Sequence, residues 1–197
     1  RQMCIRDRPH ASLEQLDPKR GGSLLLTAEE PGSTSADQFR RILTRIIYPP
    51  EGSAELNTCL VVSPGRGDGK TSLACNLATA LAQAGRRVLL VDINARNPKV
   101  EEAFGMEPGP GLGDILFGKR EPNEIVRQTD YSNLYVIGPG KQRDIVIGKL
   151  ASRDMVAFFE QAEQAFDHVI IDTPPALLMA DAKLLAPVVD GVVAVSY

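Results

Sequence analysis

Short apolar runs recur along the chain from residue 56 onward, and stretches with helical spacing of apolar residues separate them. Five runs have the length and composition of strands, and they lie at 57–62, 87–92, 133–138, 168–172 and 191–195. Strands that alternate with crossover helices are typical of a parallel sheet. Because these runs are apolar at nearly every position, both faces of the sheet should be covered. The pattern predicts an α/β fold with a mostly parallel central sheet and helices on both faces.

Two helices follow from the spacing of apolar residues. Between residues 39 and 47 they recur at helical intervals until two prolines end the segment, which predicts an amphipathic helix outside the sheet. A second helix is expected after the first strand, where leucines recur every four residues over 73–81. Gly85 lies where the C-terminal cap of this helix is expected.

Composition narrows the classes of function. A chain of 197 residues with 43% hydrophobic content falls in the size range of one domain. Its formal net charge of -3 gives no global positive field, so no nucleic-acid partner is expected. The cysteines at 4, 59 and 75 are too scattered for a disulfide scaffold or a metal site, which favours a cytoplasmic location. No apolar run approaches the roughly 20 residues that span a bilayer.

The ends of the chain are expected to differ from its middle. Residues 1–30 mix Pro, Gly, Ser and charges without periodicity, which predicts a non-native or disordered arm or linker. Residues 31–197 are expected to form the folded domain. The run 191–195 has the composition of a buried strand at the start of further structure, so we expect the domain to be truncated there, with its C-terminal strands and tail missing.

A glycine-rich segment, SPGRGDGKTS at 63–72, follows the first predicted strand and precedes a helix. Glycines let backbone N–H groups turn toward phosphate oxygens, and the helix N-terminus adds a partial positive charge. The expected phosphate cradle comprises Gly65, Arg66, Gly67, Asp68, Gly69, Lys70, Thr71 and Ser72. We expect Lys70 to contact the β- and γ-phosphates of ATP, and the Thr71 hydroxyl to bind Mg²⁺. Pro64 replaces the first glycine of the strict pattern, and Lys70 stands where a dinucleotide-binding fingerprint needs glycine.

Two predicted strands end in an aspartate, Asp92 after 88–91 and Asp172 after 169–171. Because the carboxyl ends of parallel strands meet at one edge of a sheet, both carboxylates should face the cradle. A buried carboxylate requires a nearby cation or hydrogen-bond donors, and Mg²⁺ commonly binds through one or two carboxylates plus phosphates. The sequence predicts a Mg²⁺ site at Thr71, Asp92 and Asp172. A structural aspartate that caps a neighbouring loop is the alternative for each carboxylate.

Three segments in this order carry a family resemblance. They are the cradle at 63–72, LLVDINARNP at 89–98 and HVIIDTPP at 168–175, and GLGDILFG at 111–118 adds a smaller element. Together they resemble the bacterial tyrosine kinases of the CpsD, CapB and Wzc type, over about residues 31–195. The resemblance implies the fold of P-loop NTPases related to MinD and ParA.

The resemblance also implies a function. The family members are non-specific protein-tyrosine kinases that use ATP and Mg²⁺ and regulate synthesis and export of capsular polysaccharide or exopolysaccharide. A membrane-spanning polysaccharide co-polymerase is the implied partner, at the inner face of the plasma membrane, and a homo-oligomer is a further implied assembly. The family's catalytic positions correspond here to Lys70, Asp92, Asn94, Arg96 and Asp172.

Asn94 and Leu43 depart from the family pattern, and the family's tyrosine-rich C-terminal tail is expected to lie in the missing part of the domain. The family's DxDxR loop has an aspartate, proposed as the base that deprotonates tyrosine, where this chain has Asn94. An amide takes no proton at neutral pH, and a general base contributes about 10²–10⁴ in rate, so transfer to tyrosine is expected to be slow. In the family's E-x-x-R-x-x-R oligomerisation helix the last arginine corresponds to Leu43. Tyr48, Tyr131 and Tyr135 are expected to be packing residues.

Two other functions remain open from the sequence. ParA- and MinD-type positioning ATPases share the implied fold, but their signature lysine lies five positions before the cradle lysine, where this chain has Gly65. A catalytically weak adaptor, whose nucleotide state controls contact with a co-polymerase, is the second alternative, and Asn94 is the residue that favours it.

Overall fold

One six-stranded sheet forms the centre of the fold in this computed structural model. The structure describes residues 25, 32, 34–48, 56–141, 149, 152–175, 185 and 189–195. The strands are β1 (Thr58–Val62), β2 (Val88–Asp92), β3 (Arg127–Gln128), β4 (Leu134–Ile137), β5 (His168–Asp172) and β6 (Gly191–Ala194). The helices are α1 (Thr34–Ile47), α2 (Lys70–Gln83), α3 (Val100–Ala103), α4 (Leu112–Leu116), α5 (Pro122–Ile125) and α6 (Arg153–Ala165). The predicted arm over 1–30 lies outside the described residues except for Leu25, which is buried in the core.

The strand order is β3-β4-β2-β5-β1-β6. Every pair is parallel except β3 with β4. This confirms the predicted α/β class and all five predicted strands, each to within a residue at either end. The sequence missed β3, because Arg127-Gln128 is short and polar and carries no hydrophobic pattern.

Two hydrophobic clusters occupy the two faces of the sheet. Alternate residues of a strand point to opposite faces, and accordingly Val88 and Leu90 join one cluster while Leu89 and Val91 join the other. α1 and α2 cover the first face. α4, α5 and α6 cover the second. Both faces are therefore covered by helices, as the nearly continuous apolar runs predict.

A glycine turn ends α2 and leads into β2. Gly85 has φ 83°, a left-handed conformation that favours glycine. The Gly85 N–H donates to the Ala82 carbonyl at 2.9 Å, and the Arg86 N–H donates to the Leu81 carbonyl at 3.1 Å. These bonds satisfy carbonyls that the helix end would otherwise leave free. The predicted C-terminal cap is confirmed.

The tyrosines differ in their surroundings. Tyr131 packs edge to face on Phe104 with ring centroids 6.0 Å apart, and Tyr135 packs on Phe166 at 5.4 Å. Tyr48, just beyond α1, is 72% exposed. The prediction that it packs is therefore wrong: the last residue of α1, Ile47, packs against the core, and Tyr48 follows it on the solvent side.

Candidate functional site

The cradle lies between β1 and α2 and depends on two left-handed glycines. Gly67 and Gly69 have φ of 81° and 84°, which other residues rarely adopt. The Gly65 N–H donates to the Asp68 carboxylate at 2.7 Å, so that side chain holds the loop closed on itself. Arg66 is exposed, and Ser72 is half-buried in the first turn of α2.

Lys70 begins α2 and is only 7% exposed. Its Nζ donates to the Ser63 hydroxyl at 2.5 Å and to the Gly65 carbonyl at 2.8 Å. Burial lowers the pKa of Lys70 below its usual value, while the carboxylates of Asp172 and Asp68 act in the opposite direction. The ammonium therefore lies within the cradle. Phosphate oxygens there would be stronger acceptors than its two neutral partners, the Ser63 hydroxyl and the Gly65 carbonyl.

Asp172 ends β5 directly beneath α2. The Thr71 hydroxyl donates to its Oδ2 at 2.6 Å. Its Oδ1 is buried and has no hydrogen-bond partner. Burial, and after it the charge of Asp92, raise the pKa of Asp172 to about 8, against the opposing effects of the Thr71 hydrogen bond and the charge of Lys70. A buried carboxylate oxygen without a donor is costly unless a cation is bound there.

Asp92 ends β2 and is paired in register with Asp172. Its Oδ1 accepts the Asn94 N–H at 2.8 Å, and its Oδ2 accepts those of Lys99 at 3.0 Å and Val100 at 3.2 Å. Burial raises the pKa of Asp92 to about 6, and the three backbone hydrogen bonds limit that rise. The loop-capping alternative therefore describes one function of Asp92, because it holds three amides.

The residues at this edge fit a Mg²⁺ ion that is shared with phosphates. Two buried carboxylates on adjacent strands repel each other, and one of their oxygens lacks a partner. The described residues contain no cluster of three or more His, Cys, Asp or Glu side chains with metal-binding geometry. Mg²⁺ usually keeps waters and takes its other ligands from substrate phosphates, so two carboxylates and a hydroxyl are enough protein ligands for it. Thr71, Asp92 and Asp172 are the residues that would hold it.

The remaining predicted residues lie in the loop after β2. Asn94 is half-buried, and its carbonyl accepts the Asn97 N–H at 3.1 Å in a turn. Arg96 is exposed at the tip of the same turn. The structure therefore brings the predicted residues together at the carboxyl edge of β1, β2 and β5, with Arg66 and Arg96 on its outer surface.

Two contacts of the site were missed by sequence reasoning. Ser63 holds Lys70, and its position directly after β1 was the available signal. The Thr173 hydroxyl donates to the Val61 carbonyl at 2.6 Å and ties the loop after β5 to β1. Its position directly after Asp172 in the segment HVIIDTPP was the available signal.

The chain is similar in sequence to proteins of a known family. An AAA domain family matches residues 60–195. Tyrosine-protein kinase YwqD of Bacillus subtilis is 34% identical over 171 residues, which are 87% of this chain and 72% of that protein. The chain belongs to the bacterial tyrosine-protein kinase family.

Other relatives of this tyrosine-kinase chain are much longer proteins. Tyrosine-protein kinase ptk of Acinetobacter johnsonii is 32% identical over 82% of this chain and 22% of its own length. The succinoglycan biosynthesis transport protein ExoP of Rhizobium meliloti is 30% identical over 85% of this chain and 22% of its own length. The chain thus spans most of one curated relative and under a quarter of these two.

Solved structures separate the kinase family from its nearest alternative. The kinase domain of Escherichia coli tyrosine kinase ETK matches with a TM-score of 0.81 and 26% identity over 87% of this chain and 67% of that one. The septum site-determining protein MinD of Pyrococcus horikoshii, complexed with Mg-ADP, matches with a TM-score of 0.61 and 25% identity over 71% of this chain and 57% of that one. The tyrosine-kinase fold therefore matches better than that of the positioning ATPase.

Proposed function

We propose that the chain binds ATP with Mg²⁺ at the carboxyl edge of β1, β2 and β5 and transfers phosphate to tyrosine. The unpartnered, buried Oδ1 of Asp172 is the observation that carries this proposal. It lies on the carboxylate that also holds the Thr71 hydroxyl, directly behind the cradle. A divalent cation there would neutralise the Asp92 and Asp172 pair and join it to the phosphates.

Each residue then has a defined role. Lys70 exchanges its neutral partners, Ser63 and the Gly65 carbonyl, for phosphate oxygens. Thr71 and Asp172 lie together for the metal, and Asp92 completes the pair while its three amide donors fix its orientation. Bound Mg²⁺ supplies charge neutralisation for phosphoryl transfer. The exposed Arg96 is the cation of the loop that can contact an approaching substrate.

The biological setting is proposed from the relatives. ExoP is named as a succinoglycan biosynthesis transport protein, and ExoP and this chain are 30% identical. We therefore place the chain in control of capsular or exopolysaccharide synthesis beside a membrane-spanning co-polymerase. In the described part of the chain, none of the helices combines the length and apolar composition of a membrane span. A homo-oligomer stays a prediction, and Leu43, at the position of the family's arginine, packs against the core.

The test is to incubate the chain with ATP and Mg²⁺ and to map phosphotyrosine by mass spectrometry. Among Tyr48, Tyr131 and Tyr135, only Tyr48 is exposed, so it is the acceptor we expect in the described tyrosines. Tyr48→Phe should remove that signal. Lys70→Ala should remove all phosphotyrosine, and signal that persists in this variant would contradict the proposal.

Asn94 sets the expected rate. Because its amide cannot accept the tyrosine proton, transfer should be slow, and Asn94→Asp should raise it by about 10²-fold or more. The exposed Asn97 lies in the same turn, so Asn97→Asp adds the same charge outside the family's base position and should leave the rate nearly unchanged.

The second candidate function is a nucleotide-dependent adaptor with little catalysis. The observation that favours it is Asn94 itself, in a site whose nucleotide-binding parts are otherwise present. If ATP and Mg²⁺ bind but neither the parent chain nor Asn94→Asp forms phosphotyrosine, on itself or on an added tyrosine peptide, the adaptor is the better description.

A further inference from the structure

A partly buried ion pair lies near Asp92. Glu101 is on α3 and Arg127 is on the edge strand β3, and their side chains are 8% and 25% exposed. Arg127 Nη2 donates to Glu101 Oε1, and Arg127 Nη1 donates to the Glu107 carbonyl at 2.8 Å. The Gly109 N–H also donates to Glu101 Oε1, at 3.1 Å. One guanidinium therefore joins β3, α3 and the loop that follows α3.

Two glycines leave room for this pair. A Cβ on Gly138, directly after β4, would lie 2.5 Å from the Glu101 carboxyl carbon. A Cβ on Gly109 would lie 2.8 Å from the Arg127 guanidinium carbon. Any larger residue at either position would displace the pair. The backbone is therefore fitted closely around these two charges.

The pair is connected to Asp92 through α3. The first residue of α3, Val100, and the preceding Lys99 donate their N–H groups to Asp92 Oδ2. Glu101 is the next residue along, so the ion pair anchors the short segment that supplies these donors. α3 is four residues long, too short to hold a fixed position by its own hydrogen bonds.

Stability alone does not explain this arrangement. Removing charged groups from water is costly, and an apolar pair of similar volume is often as stable as a buried ion pair or more so. Here Arg127 Nε is also buried with no hydrogen-bond partner. An ion pair also has directional hydrogen bonds, which an apolar pair lacks. The planar guanidinium of Arg127 donates to Glu101 and to the Glu107 carbonyl at the same time, and so fixes both in position.

We infer that Glu101 and Arg127 are positioning residues that hold the Lys99 and Val100 amides against Asp92, so that the Mg²⁺-dependent part of nucleotide binding depends on Arg127. This inference rests on the proposed metal role of Asp92. In the sheet, β3 lies on the other side of β2 from β1, which precedes the cradle, and the hydrogen bonds of the pair go to Glu107 and Gly109 and not to cradle residues. Metal-free binding of ATP should therefore be independent of it.

The test compares ATP binding with Mg²⁺ and with EDTA, by calorimetry, for the parent chain and Arg127→Met. Outer-shell partners of metal ligands typically contribute 10–100-fold to metal affinity. The Mg²⁺-dependent gain, which is the ratio of the ATP affinity with Mg²⁺ to that in EDTA, should therefore fall about tenfold. Binding in EDTA should not change. Arg120→Met is the matched control, because Arg120 forms only an exposed pair with Glu124 at 3.7 Å. It should leave both values unchanged.

Two further variants make every outcome decisive. If Arg127→Met does not fold, Glu101→Gln keeps the shape of the carboxylate and should lower the Mg²⁺-dependent gain in the same direction, to a smaller extent. An unchanged gain in a folded variant of the pair overturns the inference, and so does an equal loss in EDTA. If Asp92→Asn also leaves the gain unchanged, the proposed metal role of Asp92 has failed. If Asp92→Asn abolishes the gain, only the positioning role has failed.

Discussion

Polar groups at the two ends of the strands differ in whether they have hydrogen-bond partners within the chain. At the amino end of β1 and β5, the Thr58 hydroxyl donates to Glu163 at 2.5 Å, and Asp190 accepts the Asn57 and Thr58 N–H groups at 3.0 and 2.9 Å. His168 Nδ1 lies 3.1 Å from a backbone carbonyl. These groups find their partners within the chain, which is the usual condition of buried polar atoms in a stable fold.

At the carboxyl end the condition is not met. Asp92 and Asp172 are fully buried on neighbouring strands, and Asp172 Oδ1 has no partner. The groups at the amino end therefore find partners within the described chain, whereas the carboxyl end leaves one buried carboxylate oxygen without a donor. This difference supports the proposal that a cation binds at the carboxyl end.

The largest expected effect comes from removing one charge at each end. Asp172→Asn should abolish the Mg²⁺-dependent stabilisation by ATP. Above about pH 8, where Asp172 is ionised, it should also stabilise the nucleotide-free chain by on the order of a few kcal/mol, because the buried repulsion with Asp92 is removed. Asp190→Ala should instead destabilise it by about 1 kcal/mol, since the exposed Asn57 N–H and the part-buried Thr58 N–H lose their acceptor. Urea unfolding measures both values. Destabilisation by both variants would contradict the comparison.

The pH dependence of stability should reveal the same edge. The folded-state pKa of Asp172 is raised from 3.8 to about 8, so between these values the folded chain binds more protons than the unfolded one. The free energy of unfolding without nucleotide should therefore fall as pH rises toward about 8. Deprotonation prepares the site for metal, so stabilisation by ATP and Mg²⁺ should grow over the same range. Asp172→Asn should flatten both trends in thermal unfolding.

A smaller effect is expected from the cradle backbone. Gly67→Ala places a side chain at φ 81°, which costs about 1–2 kcal/mol and should weaken ATP binding. Gly32 is exposed, and its surroundings have room for a Cβ, so Gly32→Ala is the matched control. Calorimetric titration measures the ATP affinity of both variants, which should be lower for Gly67→Ala than for Gly32→Ala. Equal affinity in both variants would mean that the left-handed turn is not needed for binding.

The smallest change is expected at the amino end. Thr58→Val removes the hydroxyl that donates to Glu163 and should lower the free energy of unfolding by about 1 kcal/mol. ATP binding should be unaffected, because this bond lies at the opposite end of the strands. A loss of nucleotide affinity in Thr58→Val would show that the two ends are coupled.

Local patterns account for what could be predicted from the sequence. Apolar runs located five strands, and the spacing within 63–72 located Lys70 and Thr71, because those features depend on neighbours along the chain. β3 could not be found, since two polar residues form a strand only by pairing with β4. The donors to Asp92 are backbone amides, which every residue except proline can supply, so no residue type in the sequence marks them.

Contacts between segments that are distant in the sequence could not be predicted either. Glu101 and Arg127 are 26 residues apart and have no periodic relation. Their pairing follows from the position of the edge strand beside α3, which only the folded chain shows. Sequence reasoning therefore found the residues that would meet the ligand and missed those that hold them in place.

Thermal unfolding of the parent chain and of Lys70→Ala, each with and without ATP and Mg²⁺, tests the carboxyl edge as a nucleotide site most directly. ATP with Mg²⁺ should raise the melting temperature of the parent chain and leave that of Lys70→Ala unchanged, because the buried ammonium is the proposed partner of the phosphates. An equal rise in both proteins would contradict the assignment of the site.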